Sequence, residues 1–326
     1  MRRRKFLKLG AGIGLAGATG PLAAPAIGQT RAWPTKPVKV IVPFAAGGGT
    51  DIVARPWCDK LSQVFGQQFV VENRGGASGL IGTEATARSA ADGYTLLISS
   101  STTTVNLPLL RQVPYDPKSL EPIARLGDAI TGFAIHPAVG VKTFPELIAY
   151  AKQNPGKLAF GSSGPGTGPH LRFEMLKYRT GVDILHVPYR GGADSLTDLL
   201  SNNVQLMNEP VTTVHVKAGK LYLLNINHSE RSVEFPDVPT LTELGYPNSD
   251  VPIWISLWCP TGTPLEIKQR LNEEIVKLSK TPDMQAKLRL AGSAPVVQTL
   301  PELEAFREAD TKLMAELIKV ANIKIE

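Results

Sequence analysis

The chain has 326 residues, 43% of them apolar and 20% charged, with 30 glycines, 26 prolines and two cysteines. Length and composition describe a soluble globular protein with room for two domains, and they exclude a stapled mini-protein, a collagen-like repeat and a disordered chain. The formal charge of +6 is no nucleic-acid footprint, because Arg2, Arg3, Arg4, Lys5 and Lys8 supply five of the positive charges, and the other 30 basic residues nearly balance 29 acidic ones.

Residues 1–28 read as a targeting segment: a cationic start, a Gly- and Ala-rich apolar stretch at 9–20, and small residues around Ala24-Pro25-Ala26. Arg3-Arg4-Lys5-Phe6-Leu7-Lys8 resembles the twin-arginine export signal. A membrane anchor needs about 20 apolar residues, whereas this stretch is shorter and interrupted by Gly10, Gly12, Gly14, Gly17 and Gly20. The expectation is a periplasmic protein, soluble once the segment is removed. The spacing of Cys58 and Cys259 resembles neither a metal knuckle nor a disulfide framework; an oxidising compartment permits a bridge that spacing cannot show, and both are expected to be buried apolar residues, the commoner case.

The mature chain opens with strand, loop and helix in repetition. Val38-Lys39-Val40-Ile41-Val42-Pro43-Phe44 has strand character and ends in Ala45-Ala46-Gly47-Gly48-Gly49, after which the pattern turns helical from Thr50 or Asp51 to about Val64. Phe69-Val70-Val71-Glu72-Asn73 leads through a second glycine loop into a helix at 81–89, and Thr95-Leu96-Leu97-Ile98-Ser99 leads into the hydroxyl run Ser100-Ser101-Thr102-Thr103-Thr104. A second series follows residue 131. Thr143-Phe144-Pro145-Glu146 fits a capping box. The strand at 158–161 meets the loop at 162–170 and a helix to Arg179, and the strand at 184–187 meets Pro188-Tyr189-Arg190-Gly191-Gly192 and a helix to Leu200. The tail is helical, with capping boxes expected at Thr263-Pro264-Leu265-Glu266 and Thr299-Leu300-Pro301-Glu302 and a helix end at Gly292.

Strands alternating with helices imply parallel sheets covered by helical layers. Two apolar segments, 130–135 and 251–259, separate the series. If both cross between lobes, lobe I comprises 34–130 and 258–326 and lobe II comprises 131–257, a hinged clamshell; the alternative is one large sheet.

Ligands of such sheets gather beyond the carboxyl ends of the strands. Glycine loops there let the backbone approach closely, and the free amides of the following helix start attract an anion. The chemistry indicated is recognition of a small carboxylate by amides and hydroxyls. No loop has dinucleotide spacing, because Pro169 stands where the last glycine of the Gly164-Pro165-Gly166-Thr167-Gly168 run would be needed, and none carries a P-loop lysine. Gly161-Ser162-Ser163-Gly164-Pro165 misses the nucleophile elbow. A secreted hydrolase using Ser163 with His170 is the competing reading, although a histidine after a polar loop more often fastens that loop. Asp51 is either a helix cap or a ligand contact. Arg74 and Arg190 are candidate cations for a carboxylate. Glu209 would disfavour an anion unless it met an amine or hydroxyl of the ligand.

The motifs converge on a family. Pro43-Phe44-Ala45-Ala46-Gly47-Gly48-Gly49-Thr50-Asp51, Val71-Glu72-Asn73-Arg74-Gly75-Gly76-Ala77-Ser78-Gly79, Asp92-Gly93-Tyr94-Thr95-Leu96, His186-Val187-Pro188-Tyr189-Arg190-Gly191, Phe235-Pro236-Asp237-Val238-Pro239-Thr240 and Cys259-Pro260-Thr261-Gly262-Thr263-Pro264 resemble, in order, the Bug family of extracytoplasmic solute receptors of tripartite tricarboxylate transporters. The resemblance implies an α/β, type II periplasmic-binding-protein fold, with two Rossmann-like lobes joined by crossover strands, and no cofactor, metal or catalysis. It implies a small organic acid as ligand (a di- or tricarboxylate, amino acid or aromatic acid), membrane permease subunits as partners, and a monomer. A sensor docking on a signalling partner would share the same cleft. Carried over by motif, the site would draw on Phe44, Ala46, Gly48, Asp51, Ser78 and Thr103 from one lobe, and on Ser162, Gly164, Thr167, His170, Arg190 and Gly191 from the other. The loop after Met207 departs from the pattern: Asn208-Glu209-Pro210 stands where an aromatic followed by Asp or a small residue is usual, so Asn208 and Glu209 are candidates for reading a second polar group of the ligand.

Overall fold

The structure, a computed structural model, describes residues 33–325, so the expected export segment lies outside the described residues. Residues from Pro34 onward cluster as one unit. β1 (Val38–Val42) is a β-branched run with one exposed residue, stopped by Pro43, and α1 (Gly49–Phe65) begins as soon as the glycine turn has reversed the chain. β2 (Phe69–Asn73), α2 (Leu80–Ala87) and β3 (Thr95–Ser100) repeat the unit. Where only a hydroxyl-rich loop is expected, the chain winds a π-helical turn at Thr102–Asn106 and continues into α3 (Leu107–Leu110). β4 (Leu120–Ala129) follows.

The second series holds β5 (Ala134–Ile135), α4 (Phe144–Gln153), β6 (Ala159–Ser162), α5 (Gly168–Thr180), β7 (Leu185–Pro188), α6 (Gly192–Leu200), β8 (Leu206–Met207), α7 (Thr213–Lys217) and β9 (Tyr222–Leu223). The chain then returns through the wholly buried β10 (Trp254–Pro260) to α8 (Leu265–Ser279), α9 (Pro282–Leu290), β11 (Ser293–Ala294) and α10 (Leu300–Val320).

Among the described residues these strands form two sheets, ordered β11-β4-β10-β3-β1-β2 and β7-β6-β8-β5-β9. β1 is parallel to both β2 and β3, and β6 is parallel to both β7 and β8. Parallel neighbours end on the same side, so each sheet gathers its glycine loops at one edge. β10 pairs antiparallel with β3 and β4 from Trp254 on, which puts residues 254–257 in the first sheet, ahead of the return expected at 258. Trp254, Trp258, Ile41 and Leu97 of the first sheet belong to one apolar cluster, which also takes in Leu171 and Met175 of α5, and Phe133, Phe144, Phe160 and Phe173 belong to another.

Caps behave as local chemistry dictates at two of three expected places. Thr143 Oγ1 accepts from the Glu146 amide at 3.3 Å while the Glu146 carboxylate accepts from the Thr143 amide at 3.2 Å, and the Glu302 carboxylate takes the Thr299 amide at 2.8 Å. The expected box at Thr263 is absent. Its hydroxyl donates backwards to the Pro260 carbonyl at 2.7 Å, and α8 starts after Pro264 without a side-chain cap. Cys58 and Cys259 are both buried and free, as apolar filling.

Candidate functional site

The loops at the strand ends of the two sheets touch. A Cβ placed on Gly191 would lie 2.8 Å from the Ala45 Cβ, so only a glycine lets these turns meet, and the Ser78 hydroxyl rests against Gly164. The Gly168 amide, in the first turn of α5, donates to Thr102 Oγ1 at 3.2 Å and so links the second series to the π-turn after β3. Inside this contact lies a cavity of about 40 Å³. It is lined by Phe44, Gly48, Gly49, Thr50, Ser100 and Thr102 from the first sheet's loops, and by Ser163, Pro169, Gly192, Glu209 and Pro210 from the second's. Ala129, Ile253 and Ile255 of the crossing segments close it. That volume holds a few waters, against about 300 Å³ or more for a small-molecule pocket.

The loop after β1 is fastened by Asp51, which is 1% exposed. Its carboxylate takes four hydrogen bonds: the Gly47 amide (2.8 Å) and Arg55 Nε (2.8 Å) on one oxygen, Arg55 Nη2 (3.0 Å) and Asn73 Nδ2 (2.9 Å) on the other. Burial opposes the charge, but the bonds from Arg55, Gly47 and Asn73 outweigh it and hold the carboxyl below its usual value. With about four acceptor positions to a carboxylate, Asp51 has none left for a ligand. Asn73 also donates to the Phe44 carbonyl at 3.1 Å, fixing the turn from the next strand.

The loop after β6 is fastened by neutral groups. Ser162 is fully buried; its hydroxyl takes the Gly164 amide at 3.1 Å and pairs with His186 Nε2 at 2.7 Å. Thr167 Oγ1 donates to the Gly164 carbonyl at 2.7 Å. His170 Nδ1 accepts from the Gly166 amide at 3.1 Å, and its ring stacks on His186 with centroids 4.2 Å apart. Burial, with His186 and Lys177 nearby, pushes His170 down to about 3; burial, with Lys177, pushes His186 down to about 4. Both rings are uncharged at neutral pH.

Beneath the cavity Arg172, 1% exposed, satisfies its guanidinium on five acceptors. These are the Val251 carbonyl (2.8 Å), Thr131 Oγ1 (3.0 Å), Asn208 Oδ1 (3.0 Å), and the Ala129 and Asn227 carbonyls (each 3.3 Å). It joins both crossing segments, which are themselves bonded by the Ala129 amide on the Ile253 carbonyl at 2.8 Å. Asn208 is consumed here, donating also to Asn227 Oδ1 at 2.7 Å. Glu209, the next residue, is buried at the cavity wall, where Oε1 accepts from the Ser163 amide at 2.9 Å. A Cβ on Gly192 would overlap Glu209 Oε2, so the start of α6 needs glycine beside this carboxylate. Burial pushes the Glu209 carboxyl up to about 7, against the bonds from Ser163 that favour its charge.

Of the candidates from sequence, Phe44, Gly48 and Glu209 line the cavity, and Ser78, Gly164 and Gly191 stand where the opposed loops touch. Asp51, Ser162, Thr167 and His170 hold loop shape instead. Thr103 points its hydroxyl at Ser99 (2.8 Å), leaving its neighbour Thr102 to face the cavity. Ala46 and Arg190 are exposed, and Arg74 is ion-paired with Glu72. The hydrolase pairing does not form: the histidine on a serine hydroxyl is His186 on the fully buried Ser162, whereas His170 serves the Gly166 amide. Thr50, Ser100, Thr102 and Gly192 also line the cavity, each within three residues of a candidate in the same loop, and Ser163, expected only as a nucleophile of the hydrolase reading, lines it too. Among the described residues no group of His, Cys, Asp and Glu could hold a metal, and no helix is long and apolar enough to cross a membrane.

Residues 53–323 match the family described as tripartite tricarboxylate transporter family receptor. Protein BugT of Bordetella pertussis is 36% identical over 319 residues, covering 96% of this chain and 97% of its own. The periplasmic binding protein BugD superposes with a TM-score of 0.85 at 33% identity, over 90% of this chain and 100% of BugD. An R. palustris protein solved with adipate gives 0.86 at 32% identity, over 90% and 99%. These relatives give the fold as that of the periplasmic binding proteins, and they are solute-binding receptors rather than enzymes.

Proposed function

The chain belongs to the tripartite tricarboxylate transporter receptor family, and from that premise we propose that it captures a small organic carboxylate in the periplasm and delivers it to a membrane permease. Residues 34–130 with 254–326 act as one lobe and residues 131–253 as the other, since β10 joins the first sheet from Trp254, hinged where the chain crosses near Ala129–Thr131 and Val251–Ile253. The ligand's carboxylate would rest on the amides that open α1 and α6 and on the hydroxyls of Thr50, Ser100 and Thr102, with the helix dipoles favouring the negative charge. Export by the twin-arginine segment at 1–28 would put the receptor where such a ligand arrives.

One observation carries this reading: loops from both sheets meet over one cavity whose wall includes the glycine turns that open α1 and α6 and the hydroxyl residues Thr50, Ser100, Thr102 and Ser163. The adipate bound by the R. palustris relative supports the ligand class. A thermal-shift screen of carboxylic acids tests it. A ligand at 100 times its Kd stabilises the folded state by about 2.7 kcal/mol, so at least one acid should raise the melting temperature by several degrees, and small-angle scattering should register compaction with that acid. A flat screen, or binding without any change in scattering, contradicts the proposal.

A further inference from the structure

The cavity is unusual for an anion site in its charge. Among its lining residues there is no lysine, arginine or histidine, and there is one carboxylate, Glu209. The nearest buried cation, Arg172, directs its donors to Val251, Thr131, Asn208, Ala129 and Asn227 and gives none to Glu209. A carboxylate accepts about four hydrogen bonds; the Ser163 amide supplies one, to Oε1 at 2.9 Å. The remaining capacity belongs to whatever enters the cavity. Two carboxylates sharing one dry site, with no cation between them, repel strongly at the low effective dielectric of a closed cleft. An ammonium group on the ligand removes that repulsion and completes the acceptor set with a charge-assisted hydrogen bond, about twice as strong as a neutral one.

Resting on the carboxylate-receptor reading above, we propose that Glu209 makes this receptor select acids bearing a protonated amino group beside the carboxylate, so that its ligand is a zwitterion of the amino-acid class and not a bare di- or tricarboxylate. The carboxylate of such a ligand meets the first-turn amides of Gly49 and Thr50 and the hydroxyls of Thr50, Ser100 and Thr102, and the ammonium meets Glu209. Gly192 is part of the device, because any side chain there would displace the Glu209 carboxylate from the wall. That burial alone pushes this carboxyl up to about 7 agrees with a group whose charge lacks its counterion until a ligand arrives.

Calorimetric titration of the chain with pairs that share a carbon skeleton decides it: L-alanine with propionate, L-norvaline with valerate, L-phenylalanine with 3-phenylpropionate, and L-glutamate with glutarate. In every pair that binds, the amino acid should bind at least tenfold more tightly, and Glu209→Gln, which keeps size and the bond to Ser163, should erase the difference. A deaminated acid binding as tightly as its partner, or a preference that survives in a folded Glu209→Gln protein, overturns the inference while leaving the carboxylate receptor standing. Silence across all eight compounds overturns both. Should the variant not fold, the wild-type ratios decide alone.

Discussion

The loop after β1 and the loop after β6 share one plan, a buried strand, a glycine turn and a helix start, yet they are tied down by opposite chemistry. The first is held by a charge: Asp51 gathers Gly47, Arg55 and Asn73 and stays ionised well below neutral pH. The second is held by neutral imidazoles, with His170 on the Gly166 amide and His186 on Ser162. Both solutions supply rigid backbone amides at a cleft without placing a basic side chain in it. They differ in what breaks them, and acid should separate the two.

The largest effect is expected there. His170 has its folded value near 3 against 6.5 for a free imidazole, so its share of stability is complete above pH 6.5 and is lost as pH falls toward 3. That share is about 5 kcal/mol, on the order of 1.4 kcal/mol per unit. Hydrogen exchange, corrected for intrinsic rates, should open residues 162–170 between pH 6 and pH 4 while residues 43–51 stay protected. Simultaneous opening would erase the distinction between the loops.

Arg172→Met comes next. It removes the Arg172 donors from the carbonyls of Ala129, Val251 and Asn227, at about 1–3 kcal/mol for each orphaned group, and urea unfolding should register a loss of at least 3 kcal/mol. A loss under 1 kcal/mol would show that the crossing segments do not depend on this hub.

Glu209→Gln sharpens the contrast with Asp51, since here a carboxylate is buried without a cation. Its folded value near 7, against 4.5, means that the ionised form destabilises the fold. The penalty is absent below pH 4.5, grows as pH rises, and is complete above 7. The variant should therefore match the wild type at pH 4.5 and exceed it by about 3 kcal/mol at pH 8; a pH-independent difference would contradict this. Asp51→Asn is the mildest change, about 1–2 kcal/mol of destabilisation at pH 7, because Arg55 is half exposed and solvent screens the pair. Its exchange signature should stay within 43–51.

Much of the fold was legible because it is written in local chemistry. The β-branched run at 38–42, the Thr143–Glu146 reciprocal cap and the glycine turns declare their elements without reference to the rest of the chain. Thr263 misled because its hydroxyl has two acceptable uses, a cap or a bond back to Pro260, and only the path of the chain after β10 selects between them. The site was legible as loops but not as side chains. A glycine-rich motif locates the cleft; whether Ser162 or Ser163, Thr102 or Thr103, turns inward depends on strand ends that sequence leaves uncertain by a residue. Arg172 was missed altogether, although Leu171-Arg172-Phe173 sets it between two residues expected in a core, which is where a buried cation needs explaining.

The most direct test is a crystal structure of the mature protein with its copurifying or screened ligand. The account predicts an acid enclosed between the loops, its carboxylate within hydrogen-bond distance of amides at Gly49 or Thr50 and of the hydroxyl of Thr50, Ser100 or Thr102, with Glu209 at its other polar group. A ligand seated elsewhere, for example in the outer groove bordered by Ile52, Val214 and Leu290, with the loops around 45 and 191 unchanged, would contradict it.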